Sequence, residues 1–319
     1  MAGSNMVTSL KGRDFLTLAD YSREELLFVL ETAKHLKQRY LAGERVIPLL
    51  PGRHLAMIFE KSSTRTRISF ETAMRELGGD ALYLGWKELQ LGRGETIEDT
   101  ARVVSRYVDG IMARVYEHEK LEKLAQYSRV PVINGLSDLL HPAQALTDIY
   151  TIMEKKGSDL SKLKIVFIGD GGDNVLHSLM LGIGILGGKI IISSPKGYDP
   201  DPRIIKLFEE KAVPNGGEYE IIRDPYEAVR DADVVYTDVW VSMGQEAEKE
   251  KRIKDLEPYR VTVELMKHAK SDAVFMHCLP AHRGQEVVDE VIDGKWSIVW
   301  DQAENRKHVQ KAILALIIP

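Results

Sequence analysis

Apolar and polar positions along this chain alternate between the three-to-four spacing of a helix and short unbroken apolar runs of buried-strand length. Between residues 23 and 40, Leu26, Leu30, Ala33 and Leu36 share one face, and Ser22 stands where a cap belongs, which predicts a helix. The run 55–59 predicts a buried strand. Phe70, Ala73, Met74 and Leu77 then predict a helix stopped by Gly78-Gly79. Strands are expected at 81–85, 110–115 and 130–134, with a helix over 96–107 and another opening at Pro142, a residue suited to a first helical turn. After Lys155-Lys156-Gly157-Ser158-Asp159, which reads as a link, the alternation resumes. Strands are expected at 163–168, 189–192, 220–222, 234–237 and 273–276, with a helix over 174–187 and helical stretches between the later strands. The charged run 245–254 reads as a solvated helix. Neither an internal repeat nor a low-complexity segment interrupts the series.

Alternation of this kind predicts parallel α/β sheets, and 319 residues suffice for two such domains with separate cores. The 44% apolar and 29% charged fractions are globular values, and a formal net charge of −5 argues against a nucleic-acid surface, so any anion site must be built locally. Cys278 is the single cysteine, which rules out an internal disulfide and fits a reducing, cytoplasmic setting. The most apolar window, 179–192, is broken by glycines and Lys189 and falls short of a membrane span. Residues 1–5 read as an added segment, with the native start expected at Met6.

The densest chemistry lies between the first strand and its helix. Ser63-Thr64-Arg65-Thr66-Arg67 packs three hydroxyls and two guanidinium groups into a turn where free N–H groups and the helix dipole favour an anion. Arg65 offers a planar fork suited to a phosphate dianion. A capping serine followed by solvated arginines is the plainer alternative. Three further stretches follow strands in the same half: the glycine-punctuated loop 89–95 carrying Gln90, the strand end at Arg114, and His141-Pro142-Ala143-Gln144 at a helix mouth. Open α/β sheets bind ligands at such carboxyl ends.

In the second half, Gly169-Asp170-Gly171-Gly172-Asp173-Asn174 lacks the third glycine of a dinucleotide fingerprint, and the next strand ends in Ser193-Ser194-Pro195 without an acid for a ribose. Asp238-Val239-Trp240-Val241-Ser242-Met243-Gly244 reads as a loop hinged at Gly244. His277-Cys278-Leu279-Pro280-Ala281-His282 puts one thiol between two histidines. Zinc would need a fourth ligand at finger-like spacing, and a thiol nucleophile would need a base that sequence cannot place. Burial as a small hydrophobe is the default for such a cysteine.

Taken together and in this order, Ser63-Thr64-Arg65-Thr66-Arg67, His141-Pro142-x-Gln144 and His277-Cys278-Leu279-Pro280 closely resemble the carbamoyltransferase family over nearly the whole chain from about Leu10. Ser242-Met243-Gly244 and the His-Cys-Leu-Pro stretch resemble its ornithine branch, whereas the Pro-rich, basic loop of the aspartate branch is missing. The resemblance implies carbamoyl phosphate held by Ser63, Thr64, Arg65 and Thr66, its carbonyl polarised by Arg114, His141 and Thr66, and its NH₂ group received by Gln144. Gln90, Cys278, Leu279 and Arg306 complete that set, Gln90 reaching a neighbouring subunit's site as in relatives. It further implies ornithine held by Asn174, Asp238, Ser242 and Met243, with Cys278 and Asp238 polarising the amine. Two departures stand out: Ala143 where relatives often carry Cys, and a Gly171-Gly172-Asp173-Asn174 turn one residue longer than the usual version, with Asp for an Asn.

The expectation is therefore two α/β domains with doubly wound parallel sheets and a cleft between them. Residues 6–155, completed by a returning helix at 302–319, would bind carbamoyl phosphate, and 156–301 would bind ornithine. The expected reaction gives citrulline and phosphate, with no metal or organic cofactor implied and a homotrimer or multiple of trimers as the assembly. Putrescine or an acylated ornithine is the rival acceptor. A dinucleotide-binding regulatory or scaffold protein is the rival of another class.

Overall fold

A computed structural model describes residues 5–6, 10–242 and 244–319. The chain divides into two compact units, 1–146 with 306–319, and 147–305, the divisions falling inside two helices.

The first unit carries a four-stranded parallel sheet in the order β2-β1-β3-β4, built from β1 (His54–Phe59), β2 (Asp80–Gly85), β3 (Gly110–Arg114) and β4 (Val132–Leu136). Nearly every residue of β1, β3 and β4 is buried, consecutive side chains included, so both sheet faces are covered. The edge strand β2 is half exposed. Helix α1 (Arg23–Leu41) starts on a capping box between Ser22 and Glu25 and buries Leu26, Val29, Leu30, Ala33 and Leu36. Helix α2 (Thr64–Glu76) follows β1, and α3 (Ile97–Val104) precedes β3. Helix α4 (His118–Tyr127) was not foreseen; it is short and buries only Leu121 and Leu124, too few positions to establish a period. Strand β4 begins at Val132 rather than 130, because the preceding segment is spent on a local turn in which Ser128 Oγ donates to the Val130 carbonyl. The expected loop 89–95 holds a 3₁₀ turn, Gln90–Arg93.

The second unit carries a five-stranded parallel sheet in the order β7-β6-β5-β8-β9. Its strands are β5 (Ile165–Ile168), β6 (Lys189–Ser193), β7 (Glu218–Ile221), β8 (Val234–Thr237) and β9 (Val274–Met276). Again the central strands are buried throughout, while edge strand β7 alternates between exposed and half-buried residues. Helix α5 (Pro142–Lys156) leads into this unit, and α6 (Asn174–Ile185) joins β5 to β6. Helices α7 (Pro202–Lys211) and α8 (Pro225–Val229) lie between β6 and β8. Helix α9 (Lys249–Leu256), helix α10 (Val263–Met266) and, beyond β9, helix α11 (Asp289–Ile292) precede the last helix, α12 (Val299–Ile317). Among the described residues no helix is long and apolar enough to cross a membrane.

Each sheet reverses its winding once, between β1 and β3 in the first unit and between β5 and β8 in the second. Such reversals open a crevice at the strands' carboxyl ends. Phe59 pairs in register with Arg114, and Ile168 with Thr237, so the segments emerging there start side by side.

Candidate functional site

At the first reversal, Ser63 caps α2 with its hydroxyl accepting from the Thr66 N–H at 3.2 Å. Only one of the helix's leading N–H groups is spent by this cap, and the rest remain oriented for an anion. The Thr66 hydroxyl is buried and accepts from Arg114 Nη1 at 3.4 Å and from Arg306 Nη2 at 3.3 Å. Arg306 is fixed in turn: Nη1 donates to Gln144 Oε1 at 2.6 Å and Nε to Gln310 Oε1 at 2.7 Å, while Gln310 Nε2 donates to Ser69 Oγ at 2.7 Å. His141, Gln144 and Arg306 are all buried. Burial first, then the guanidinium groups of Arg306 and Arg114, hold the His141 imidazole well below its ordinary pKa, so the ring is neutral at physiological pH. Arg65 is half-buried and pairs with no carboxylate among the described residues, whereas Arg67 lies over the Tyr83 ring, 3.9 Å from its centre. The result is a cluster of positive charge and fixed donors.

At the second reversal the charges are inverted. Asp238, directly after β8, is buried; its Oδ1 accepts from Val239 N–H at 2.7 Å and its Oδ2 from Cys278 Sγ at 3.1 Å. Burial raises the Asp238 carboxyl, partly offset by His277 and by the Cys278 contact. Burial and the carboxylates Asp238 and Asp173 raise the Cys278 thiol well above its ordinary value, so it is a protonated donor and not a thiolate nucleophile. Asp173 caps α6 through Oδ1, which accepts from Leu176 N–H at 2.9 Å, and Asn174 is that helix's first residue. Gly171 is required in this turn, because a Cβ there would stand 2.1 Å from the Tyr198 carbonyl oxygen.

Asp238, His277 and Cys278 bring three donor atoms within 4.8 Å of one another, the arrangement closest to a metal set here. Their valences are already used. His277 Nδ1 accepts from Leu279 N–H at 2.8 Å, its Nε2 faces Glu286 Oε1 at 2.9 Å, and the thiol donates to Asp238. His277 is thus a brace for the Cys278 backbone, and Leu279 holds a left-handed φ of 61° beside it. His282 is exposed and takes no part.

The structure brings Ser63, Thr66, Arg114, Gln144 and Arg306 into one bonded network and joins Cys278 to Asp238. Gln90 sits exposed on its 3₁₀ turn with no hydrogen bond to the anion turn. Ser242 is half-buried and its N–H donates to Gln245 Oε1 at 2.9 Å; Met243 lies outside the described residues. Reading 245–254 as a solvated helix is corrected at Arg252. That residue is buried, donates from Nε to the Trp240 carbonyl at 2.7 Å, and forms an ion pair with Asp170. A lone arginine in a charged run carries no signal of its partner 82 positions away. Also unforeseen is a buried chain in which Tyr236 donates to Asp148 Oδ2 at 2.8 Å, Gln302 Nε2 donates to Asp148 Oδ1 at 2.7 Å, and Gln302 Oε1 receives the His277 N–H at 3.0 Å.

With this geometry in place, comparison with known proteins is direct. Residues 13–154 match the domain family described as aspartate/ornithine carbamoyltransferase, carbamoyl-P binding domain, and residues 161–317 match its Asp/Orn binding domain. The chain is similar to a protein named ornithine carbamoyltransferase from Pyrococcus abyssi, 59% identical over 313 residues covering 98% of both chains. It is equally similar, at 59% and the same coverage, to one named ornithine carbamoyltransferase, anabolic, from Pyrococcus furiosus. A solved structure of ornithine carbamoyltransferase from Pyrococcus furiosus superposes with a TM-score of 0.92 at 58% identity, covering 97% of this chain and 98% of that one.

Proposed function

We propose, because the chain belongs to the aspartate/ornithine carbamoyltransferase family, that it transfers the carbamoyl group of carbamoyl phosphate to the side-chain amine of L-ornithine, giving L-citrulline and phosphate. The observation that carries this reading is that the first unit holds a cationic, donor-rich cluster at its sheet reversal, while the second unit holds a buried thiol–carboxylate pair at its own.

The chemistry follows from those groups. The α2 N-terminus, with Ser63, Thr64, Arg65 and Thr66, receives the phosphate, where N–H groups and the Arg65 fork meet its oxygens. Arg114 and the Thr66 hydroxyl, held together at 3.4 Å, and the neutral His141 face the carbonyl oxygen as donors. Charge grows on that oxygen as the carbon becomes tetrahedral, and donors fixed in advance cost no reorganisation then. Gln144 Oε1, held by Arg306, accepts from the carbamoyl NH₂. The attacking nitrogen must be neutral, and a free alkyl ammonium has a pKa of about 10.4. Asp238 receives the proton that the amine sheds, and the Cys278 thiol keeps the Asp238 carboxylate oriented by donating to it. A C–N bond forms, the bond from carbon to the phosphate oxygen breaks, and phosphate leaves with its electron pair onto the α2 terminus. Asn174 and the Ser242–Gly244 loop hold the amino-acid head group.

We also infer a cytoplasmic homotrimer in which Gln90, exposed on its turn, serves a neighbouring subunit's site. Mixing dissociated Arg65→Ala and Gln90-loop variants, each inactive, and reassembling them is expected to restore part of the activity. Reassembled mixtures as inactive as the parents would refute the shared site. The activity itself is tested by following phosphate and citrulline together after adding carbamoyl phosphate and ornithine. Equimolar release supports transfer. Absence of both would favour a regulatory or scaffold role.

A further inference from the structure

The acceptor side contains one group that the reaction scheme above leaves unused. Asp173 is 2% exposed, and its carboxyl does two different things with its two oxygens. Oδ1 caps α6 through the Leu176 N–H at 2.9 Å, a task that Asn or Ser performs about as well. Oδ2 has no hydrogen-bond partner among the described residues. A capping requirement therefore explains half of this side chain. An ionised carboxylate oxygen left unmatched in a buried setting is costly, so its partner must be either a proton or an arriving cation.

The surrounding charges favour a cation. Asp170 in the same turn is neutralised by Arg252 from α9, which also holds the Trp240 carbonyl. No guanidinium or ammonium group pairs with Asp173 or with Asp238 among the described residues. Asp238 at the end of β8 is the neighbouring charge that weighs most on Asp173, ahead of Asp170, and Asp173 in turn acts on the Cys278 thiol beyond β9. Asp170, Asp173 and Asp238 thus bring three carboxyl groups to one sheet reversal, with a single guanidinium committed to the first.

We propose that Asp173 is a specificity-determining residue of the acceptor site, receiving the α-ammonium group of the incoming amino acid and leaving Asp238 for the reacting amine. This rests on the ornithine reading given above. In the empty site burial first, and then the charge of Asp238, hold the Asp173 carboxyl well above its ordinary pKa, so that its free oxygen carries a proton. Binding of the ammonium replaces that proton, which passes to solvent. An acid at this position makes the site more selective for a cation than an amide would.

The test uses norvaline, which keeps the α-ammonium and α-carboxylate of ornithine but lacks the reacting amine. Its binding is therefore free of the chemistry and of the side-chain amine's own titration. Whole enzyme saturated with carbamoyl phosphate is titrated with norvaline by calorimetry in two buffers of different ionisation enthalpy. Wild type is expected to release a proton on binding. Asp173→Asn, which keeps the cap, is expected to bind norvaline about ten-fold or more weakly, the scale of a lost charge-assisted hydrogen bond, and to lose most of the proton release. Asp173→Ser, a second cap-competent variant, should behave alike, with melting temperature and carbamoyl phosphate affinity unchanged in both. Norvaline binding and proton release at wild-type level in both variants would overturn the proposal and leave Asp173 a helix cap. Equal loss of affinity for norvaline and carbamoyl phosphate would also overturn it, in favour of a structural role. Wild-type enzyme that turns over ornithine while the variants are unchanged refutes this inference alone. Wild-type enzyme with no turnover refutes the functional reading and this inference with it.

Discussion

The two sheet reversals use the same backbone device for opposite electrostatic ends. At the first, Arg114 and Arg306 bond hydroxyl and amide groups, and burial first, then the charges of Arg306 and Arg114, keep a buried histidine neutral. At the second, burial first pushes the Asp173 and Asp238 carboxyls and the Cys278 thiol upward, and the Asp238 charge adds to the shift of both Asp173 and the thiol. On the proposed function the first meets an anion and the second an amine. In each, burial amplifies the interaction by removing water. Parallel α/β topology thus supplies the location, and side chains at the strand ends supply the sign.

The sharpest way to break this contrast is to remove the proton acceptor on the acidic side. Asp238→Asn is expected to lower kcat by a factor on the order of 10³, the middle of the range for a positioned base, while carbamoyl phosphate binding holds. Stopped-flow measurement of phosphate release at saturating substrates checks it, and a loss below ten-fold would remove Asp238 from the proton path. On the cationic side, Arg65→Ala should cost on the order of 10² to 10³ in kcat/KM with an unchanged melting temperature. Activity within a few-fold of wild type would make Arg65 an ordinary surface arginine.

How much of this was legible in the sequence differs between the two sides for a physical reason. Ser63 to Thr66 are contiguous, so the anion turn showed as a local concentration of donors between an apolar run and a helical period. The acidic side is assembled from the turn after β5, the loop after β8 and the segment after β9, and only family resemblance joined Asp238 to Cys278 before the structure did. Strands of both sheets were readable because parallel strands buried on two faces are unbroken apolar runs. What stayed hidden is what depends on distant partners: Arg252 on Asp170, Gln302 beneath His277, and the commitment of both His277 nitrogens to protein groups.

Arg252 sharpens the comparison further, as the cation that pairs with an acid on the acidic side among the described residues. Arg252→Met would leave the buried Asp170 without its countercharge, with only the Gly172 N–H donating to Oδ1 at 2.9 Å, a loss that typically costs about 3 to 5 kcal/mol. Chemical denaturation should show that loss together with weakened ornithine binding. A stability within 1 kcal/mol of wild type, below the usual cost of an orphaned buried charge, would mean that Asp170 finds another partner.

The smallest effect separates the two sides by the sign of their pH dependence. His141 has a lowered pKa in the folded state, so below about 6.5 the unfolded chain takes up a proton that the folded one refuses, and its contribution to stability is lost as pH falls. Asp238 has a raised pKa, so the folded state holds its proton longer, and that contribution is present in acid and lost as pH rises through the raised value. Melting curves between pH 5 and pH 8 should therefore show His141→Gln gaining on wild type at the acid end and Asp238→Asn gaining at the alkaline end. The same direction of change for both variants would contradict the assigned charge states.

The central claim, that one unit binds an anion and the other selects an amino acid bearing a free amine, is tested most directly by an acceptor comparison. Phosphate release from saturating carbamoyl phosphate is measured with ornithine, putrescine and aspartate, and kcat/KM is compared. Putrescine lacks the α-carboxylate that we propose Asn174 and Ser242 meet, and a site built to hydrogen-bond a group rejects an analogue lacking it because its own polar atoms are left unpaired. The account predicts ornithine ahead of putrescine by at least roughly a hundred-fold, with aspartate inert. Putrescine used as well as ornithine, or better, would contradict it.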